Sequence, residues 1–237
     1  MFRFPKLTLR DHMKIRSVIA AQAVRYRKFD RQLGWGPEVV QALQAKYNFV
    51  VLPELSDLFP KEPDPDKPVV FSHGRFVRDG QVKLIDHLQI YQLAAGAVTS
   101  TSTDDSDFFL DDAAEWAIKI FDVTITDVIA TRVYVSQLEV EFEKPLPDLL
   151  PMLSQTAEKI NGLRLNYGAS PLPYSLTGLT LGYDAYESKA PAPVPFIIER
   201  RASFPHDKNL FFCQAPLTTS DHIRLLEEFE QSLLAHA

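Results

Sequence analysis

The tetrapeptide Pro37-Glu-Val-Val returns in kind as Pro147-Asp-Leu-Leu, 110 positions later. At the same offset, the strand-like stretches RYRKFDRQ and VSQLEVEF run up to the two sites. Each is followed by a helical pattern, then three extended patterns, then a second amphipathic helix. The second helices align from Ser106 and from Thr219, an offset of 113, so one loop differs by about a turn. That alignment sets Phe109, Ala113, Trp116 and Ile120 against His222, Leu226, Phe229 and Leu233. A chain that twice reads strand, helix, three strands, helix has few ways to bury its apolar faces. The expected fold is α+β: duplicated β-α-β-β-β-α units forming one extended antiparallel sheet with four helices on one face. TATA-binding-protein-like and helix-grip folds share this general design by analogy, which carries no function. The repeats divide the chain at 1–123 and 124–237, as halves of one pseudo-symmetric domain.

Apolar spacing predicts a helix after Trp35-Gly36-Pro37, with Val39, Val40, Leu43 and Tyr47 on one side. A third helix is expected from about Pro147 to Asn161-Gly162, with Leu149, Leu150, Leu153, Ala157 and Ile160 inward. Extended patterns fall at 17–30, 68–78, 81–93, 96–103, 130–143, 173–183, 195–203 and 209–215. Asp79-Gly80, between RFVR and QVKL, is a two-residue hairpin signal, because a type I′ turn needs positive φ at both central residues. KEPDPDKP and ESKAPAPVP read as exposed connectors.

Composition narrows the class. With 46% hydrophobic and 24% charged residues over 237 positions, the chain resembles an ordinary globular domain with a core of its own. One cysteine, Cys213, excludes an internal disulfide framework and any multi-cysteine zinc site, which fits a reducing, cytoplasmic setting. Neither a signal peptide nor a membrane span is expected. The net charge of −6 is uneven: residues 1–50 carry ten Lys/Arg against three acids, +7, leaving −13 elsewhere. Such asymmetry suits nucleic acid or an acidic partner, or a basic segment laid against acidic parts of its own fold.

The most site-like stretch is TSTDDSDFFLDDAAEW, where Asp104, Asp105, Asp107, Asp111, Asp112 and Glu115 fall within twelve positions. A calcium loop needs a central glycine, and none occurs between Gly96 and Gly162. Ser, Thr and Asp ahead of an amphipathic pattern instead read as a capped, solvated helix start. A divalent-metal hydrolase centred on Asp104, Asp105 and Asp107 is the weakest of the functional alternatives. Counting outward from the hairpin sets His73 opposite Asp86 and Ser72 opposite His87. The pleat places these pairs on opposite faces, so they cannot combine into a triad. Cys213, among apolar neighbours, reads as a buried structural thiol. Gly-rich phosphate loops and nucleophile elbows are absent.

Charged strands carry the remaining candidates. Arg25, Arg27 and Arg31 alternate along the first strand; Glu139, Glu141 and Glu143 do so along its counterpart. If the strands meet, these could form an internal Arg–Glu ladder on the open sheet face; if not, they offer one basic and one acidic strip. Arg200 and Arg201 add a second basic spot. DHLQIYQ, TSTDD, LDD with Trp116, SQLEVEF and IERR together resemble an uncharacterised, sporadically distributed family of bacterial proteins of about this length. The resemblance implies accessory roles in mobile gene clusters, such as host defence or toxin–antitoxin systems, and supplies no catalytic residue. The expectation is a non-enzymatic protein without cofactor or metal, binding a protein partner or itself through sheet face or edges. Arg25, Arg27, Arg31, Arg200, Arg201, Glu139 and Glu141 are its candidate contacts. The alternative is a small-ligand or nucleic-acid binder using the concave sheet face and the basic N-terminal segment.

Overall fold

The computed structural model describes residues 13–29, 37–59, 64, 67–144, 150–167, 174–183, 193–205 and 208–236. Eight strands form one antiparallel sheet: β1 (Lys14–Phe29), β2 (Val69–Arg78), β3 (Gln81–Ile90), β4 (Ala95–Thr99), β5 (Ile125–Glu141), β6 (Gly178–Leu181), β7 (Phe196–Arg200) and β8 (Leu210–Ala215). Five helices are described: α1 (Pro37–Tyr47), α2 (Leu55–Leu58), α3 (Thr103–Phe121), α4 (Pro151–Leu165) and α5 (Thr219–His236). The α+β class and the antiparallel sheet are as expected. The strand order is β2-β3-β4-β1-β5-β8-β7-β6. From the long central pair β1·β5, each flank therefore steps outward in reverse chain order.

Local chemistry accounts for the elements that position the site. Asp79 and Gly80 take φ of 51° and 73°, and Arg78 pairs with Gln81, so the hairpin turns where its residues require it. Helix α3 begins at Ser102, whose Oγ accepts the Asp105 N–H at 3.1 Å, and it stops at Asp122 in the left-handed region. The helix start thus lies three residues before the expected alignment point.

Two apolar clusters fill the helix side. Under α1 and α3, Tyr47, Phe49, Phe71, Phe76, Ile85, Leu88 and Phe109 pack with Ala23 and Ala97. Under α5, Leu226 meets Leu138, Val140, Ile198, Phe211 and Cys213. Small residues at Ala21, Ala23 and Ala97 let α3 sit close to the sheet. Buried Glu230 of α5 accepts the Met13 and Glu143 N–H groups, fixing it beside the open ends of β1 and β5.

α4 departs from expectation. It runs through Asn161 and Gly162 to Leu165, and none of its residues is buried. Leu153 and Ile160, expected inward, are exposed. Leu150, just ahead of the helix and also expected inward, does pack against the second apolar cluster. Leu149 lies outside the described residues. Among the described residues, no helix is long and apolar enough to cross a membrane.

Candidate binding face

The acidic cluster begins α3 with Asp104 and Glu115 exposed, as expected, but Asp105 and Asp107 are largely withdrawn from solvent and bonded to cations of the sheet. Asp105 accepts from Arg78 at 2.9 Å and from Thr101 at 2.6 Å, with Lys83 at 3.6 Å. Burial pushes its carboxyl up, yet these bonds and charges outweigh that and hold it below the ordinary carboxylate range. Asp107 receives Arg25 at 2.8 Å, Tyr134 at 2.6 Å and Arg132 at 3.3 Å, while Asp111 receives Arg25 at 3.4 Å. Asp112 accepts from the Tyr47 hydroxyl at 2.8 Å, with Lys46 at 3.5 Å. Burial first, then that carboxylate, keeps the Tyr47 phenol protonated. The cluster is the helix's electrostatic seat on cations from β1, β2, β3 and β5. Among the described residues, no three acids, histidines or cysteines converge to hold a metal.

The expected strip of arginines is dispersed. Arg25 lies on the helix side, 7% exposed, and its cross-strand neighbour is Arg132. Arg27 stands opposite Asp127 in the backbone ladder, and Arg31 lies outside the described residues. The glutamates do meet arginines, although different ones. Glu141 pairs with Arg16 of β1, and Glu139 with Arg201 just past β7, at 3.2 Å. Arg200 donates to the Phe204 carbonyl.

The remaining candidates separate clearly. His73 takes a φ of 57°, and the ladder passes from Ser72·His87 to Gly74·Ile85, with no hydrogen bond or ion pair between His73 and Asp86 among the described residues. Ser72 Oγ and His87 Nδ1 are 2.9 Å apart, and among the described residues no carboxylate bonds to either. Burial pushes the Cys213 thiol up to about 12, which suits a structural role. A second Ser–His pair went unread in the sequence: His222 Nδ1 lies 3.0 Å from Ser136 Oγ, both fully buried. Its Nε2 finds no partner among the described residues, and burial lowers its pKa to about 4. Among the described residues no acid bonds to it, and both side chains are fully buried, unlike a solvent-accessible hydrolytic pair.

The helix-free side of the sheet is the better candidate. Because Ala21, Ala23, Leu138 and Val140 face the helices, the alternate residues Gln22, Val24, Val135, Gln137, Glu139 and Glu141 face away. Gln22 donates to Gln89 at 3.2 Å and Gln137 to Gln214 at 2.8 Å, one amide pair on each flank of β1·β5. Gly96 lies between Gln89 and Val24, where an added Cβ would sit 3.4 Å from each side chain. The result is a half-buried amide and valine strip, edged by the Arg16–Glu141 and Arg201–Glu139 pairs. At the β2–β3 end, Val77, Val82 and Leu84 continue this side and stand more than 60% exposed. Alternation along β5 would have placed Gln137 and Glu139 on a common face; the amide pairing needed the strand order. No family model, curated protein or solved structure matches the chain.

Proposed function

We propose that this chain is a non-enzymatic binding or assembly protein that engages a protein partner through the helix-free sheet face and its edge. The observation that carries this reading is the amide and valine strip, over which no element packs among the described residues. Glutamine pairs and valines offer both hydrogen bonds and apolar contact, the mixed chemistry of a protein interface. Charge on this face is balanced, since Arg16 and Arg201 are matched by Glu141 and Glu139. That balance, with Arg25 committed to Asp107 and Asp111, favours a protein over a polyanion. The matching order of the two flanks agrees with a duplicated unit of which residues 1–123 and 124–237 are the copies. Cys213, a free buried thiol, agrees with a reducing cytoplasmic compartment. An accessory part in a bacterial defence or toxin–antitoxin system is the setting that the family resemblance implies.

The test is native mass spectrometry of protein isolated gently from its own host, in the wild type and in Val135→Lys. A bound protein or second copy present in the wild type and lost in a folded Val135→Lys variant is the expected result. A bare monomer from both, together with salt-sensitive retention on heparin, would replace this reading with nucleic-acid binding.

A further inference from the structure

Among the described residues, the sheet's outer edge at β2 is covered along only part of its length. Ser72 exchanges backbone hydrogen bonds with Val51, and the Val50 N–H reaches the Ser72 and His73 carbonyls. This short cover ends at His73. Beyond it, the type I′ hairpin sets which backbone groups point outward. Its closing pair Arg78·Gln81 is hydrogen-bonded across the strands, so Phe76·Lys83 is too, and Val77 and Arg75 turn their N–H and C=O groups away from β3. Among the described residues, neither backbone meets a partner.

Side chains around this free edge are unusual in the same way. Arg75 is exposed and forms no ion pair or hydrogen bond among the described residues, whereas Arg25, Arg78, Arg132 and Arg201 are each paired. Beside it on the same face stand Val77, Val82 and Leu84, at 62%, 63% and 61% exposure. A cleft of about 380 Å³ wraps the edge towards the helix side, between Arg75, Phe76 and Val77 and the α1 end at Lys46, Tyr47 and Asn48.

Resting on the binding reading above, we infer that β2 receives an extended segment of a different protein as an added strand. That segment places a carboxylate against Arg75 and, two residues away on the same face, an apolar side chain against Val77. The residue between them points into the cleft. The edge strands of a second copy do not meet the requirement. Neither edge strand, VVFSHGRFVR nor GLTL, carries a carboxylate, and pairing β2 with itself across a twofold would bring its arginines together.

The experiment uses the full chain to select from a phage library of random decapeptides. Wild type is expected to enrich peptides with Asp or Glu two positions from an apolar residue. Arg75→Glu is expected to switch that preference to Lys or Arg. Val77→Pro removes one outward N–H while leaving the β3 ladder intact, and is expected to weaken selected peptides about tenfold. No enrichment, or enrichment indifferent to both variants, would overturn the inference. Peptides that survive both edge variants but are lost in Val135→Lys would keep a binding protein and refute this edge. A dimer abolished by Val77→Pro would identify a second copy as the occupant and overturn the inference.

Discussion

Thr103 and Thr219 exchange hydrogen bonds: the N–H of each donates to the Oγ1 of the other, at 3.0 and 2.9 Å. They open α3 and α5, so two helix N-termini meet head to head, 116 residues apart in the chain. Converging positive dipole ends repel, and first-turn acids Asp104 and Asp105 on one side and Asp221 on the other offset them. Thr103→Val or Thr219→Val leaves a buried N–H without an acceptor and should cost about 1–3 kcal/mol. Thr103→Ser should retain most of the stability, and the double valine variant, which leaves both N–H groups without an acceptor, should cost about the sum of the singles. Urea unfolding measures all four.

Arg25 holds α3 to β1 through Asp107 and Asp111. Arg25→Met should destabilise by about 3 kcal/mol, the low end for a buried pair, because Asp107 keeps Arg132 and Tyr134. Arg25→Met with Asp107→Leu should recover part of that loss in the same urea assay. A loss below about 0.5 kcal/mol would mean that the pair is solvated.

His222 sets a pH limit. Its folded pKa is depressed to about 4 from 6.5, so the unfolded chain binds the extra proton between those values. Stability is full above 6.5, falls as pH drops towards 4, and loses about 3 kcal/mol from this group. His222→Met should flatten the urea midpoint over that window. In the wild type, the imidazole C2 proton should titrate by NMR far below the ordinary histidine midpoint.

Two glycines separate space from conformation. A Cβ on Gly74 would lie 2.5 Å from the Phe49 ring, which is 2% exposed and hemmed in by Tyr47 and Phe71. Gly74→Ala should cost about 1–3 kcal/mol through overpacking. Gly80 has nothing within 4 Å but a φ of 73°, so Gly80→Ala should cost only about 1–2 kcal/mol through strain. Thermal melts of both, with Phe49→Leu added to Gly74→Ala, test the distinction: the leucine should relieve only the first.

The hairpin at Asp79-Gly80 was legible because two positive-φ residues admit few turns. The partner of Thr219 was not. Apolar stripes repeat nearly every turn, so aligning Ser106 with Thr219 keeps most stripe positions while slipping by about one turn from Thr103. Arg25 was misplaced for a different reason. The aligned strands RYRKFDRQ and VSQLEVEF were read as presenting equivalent faces, but Val135 stands opposite Gln22 and faces away from the helices, whereas Arg25 continues the Ala21 and Ala23 row on the helix side. Alternation within VSQLEVEF holds for Gln137, Glu139 and Glu141; the face shared between the two strands does not follow from their alignment. The edge at Arg75 and Val77 depended on strand order and on the Val50–Val51 cover, neither of which leaves a local signature.

The central pair also orders events in time. β1 is made before the other described strands, yet its neighbour β4 follows some seventy residues later, and β5 only after α3 is complete. Until then, one backbone row of the longest early strand stays unmatched. A ribosome stalled before Ile125 would present it to any extended chain nearby, which makes this interval the point where a chaperone has most to shield.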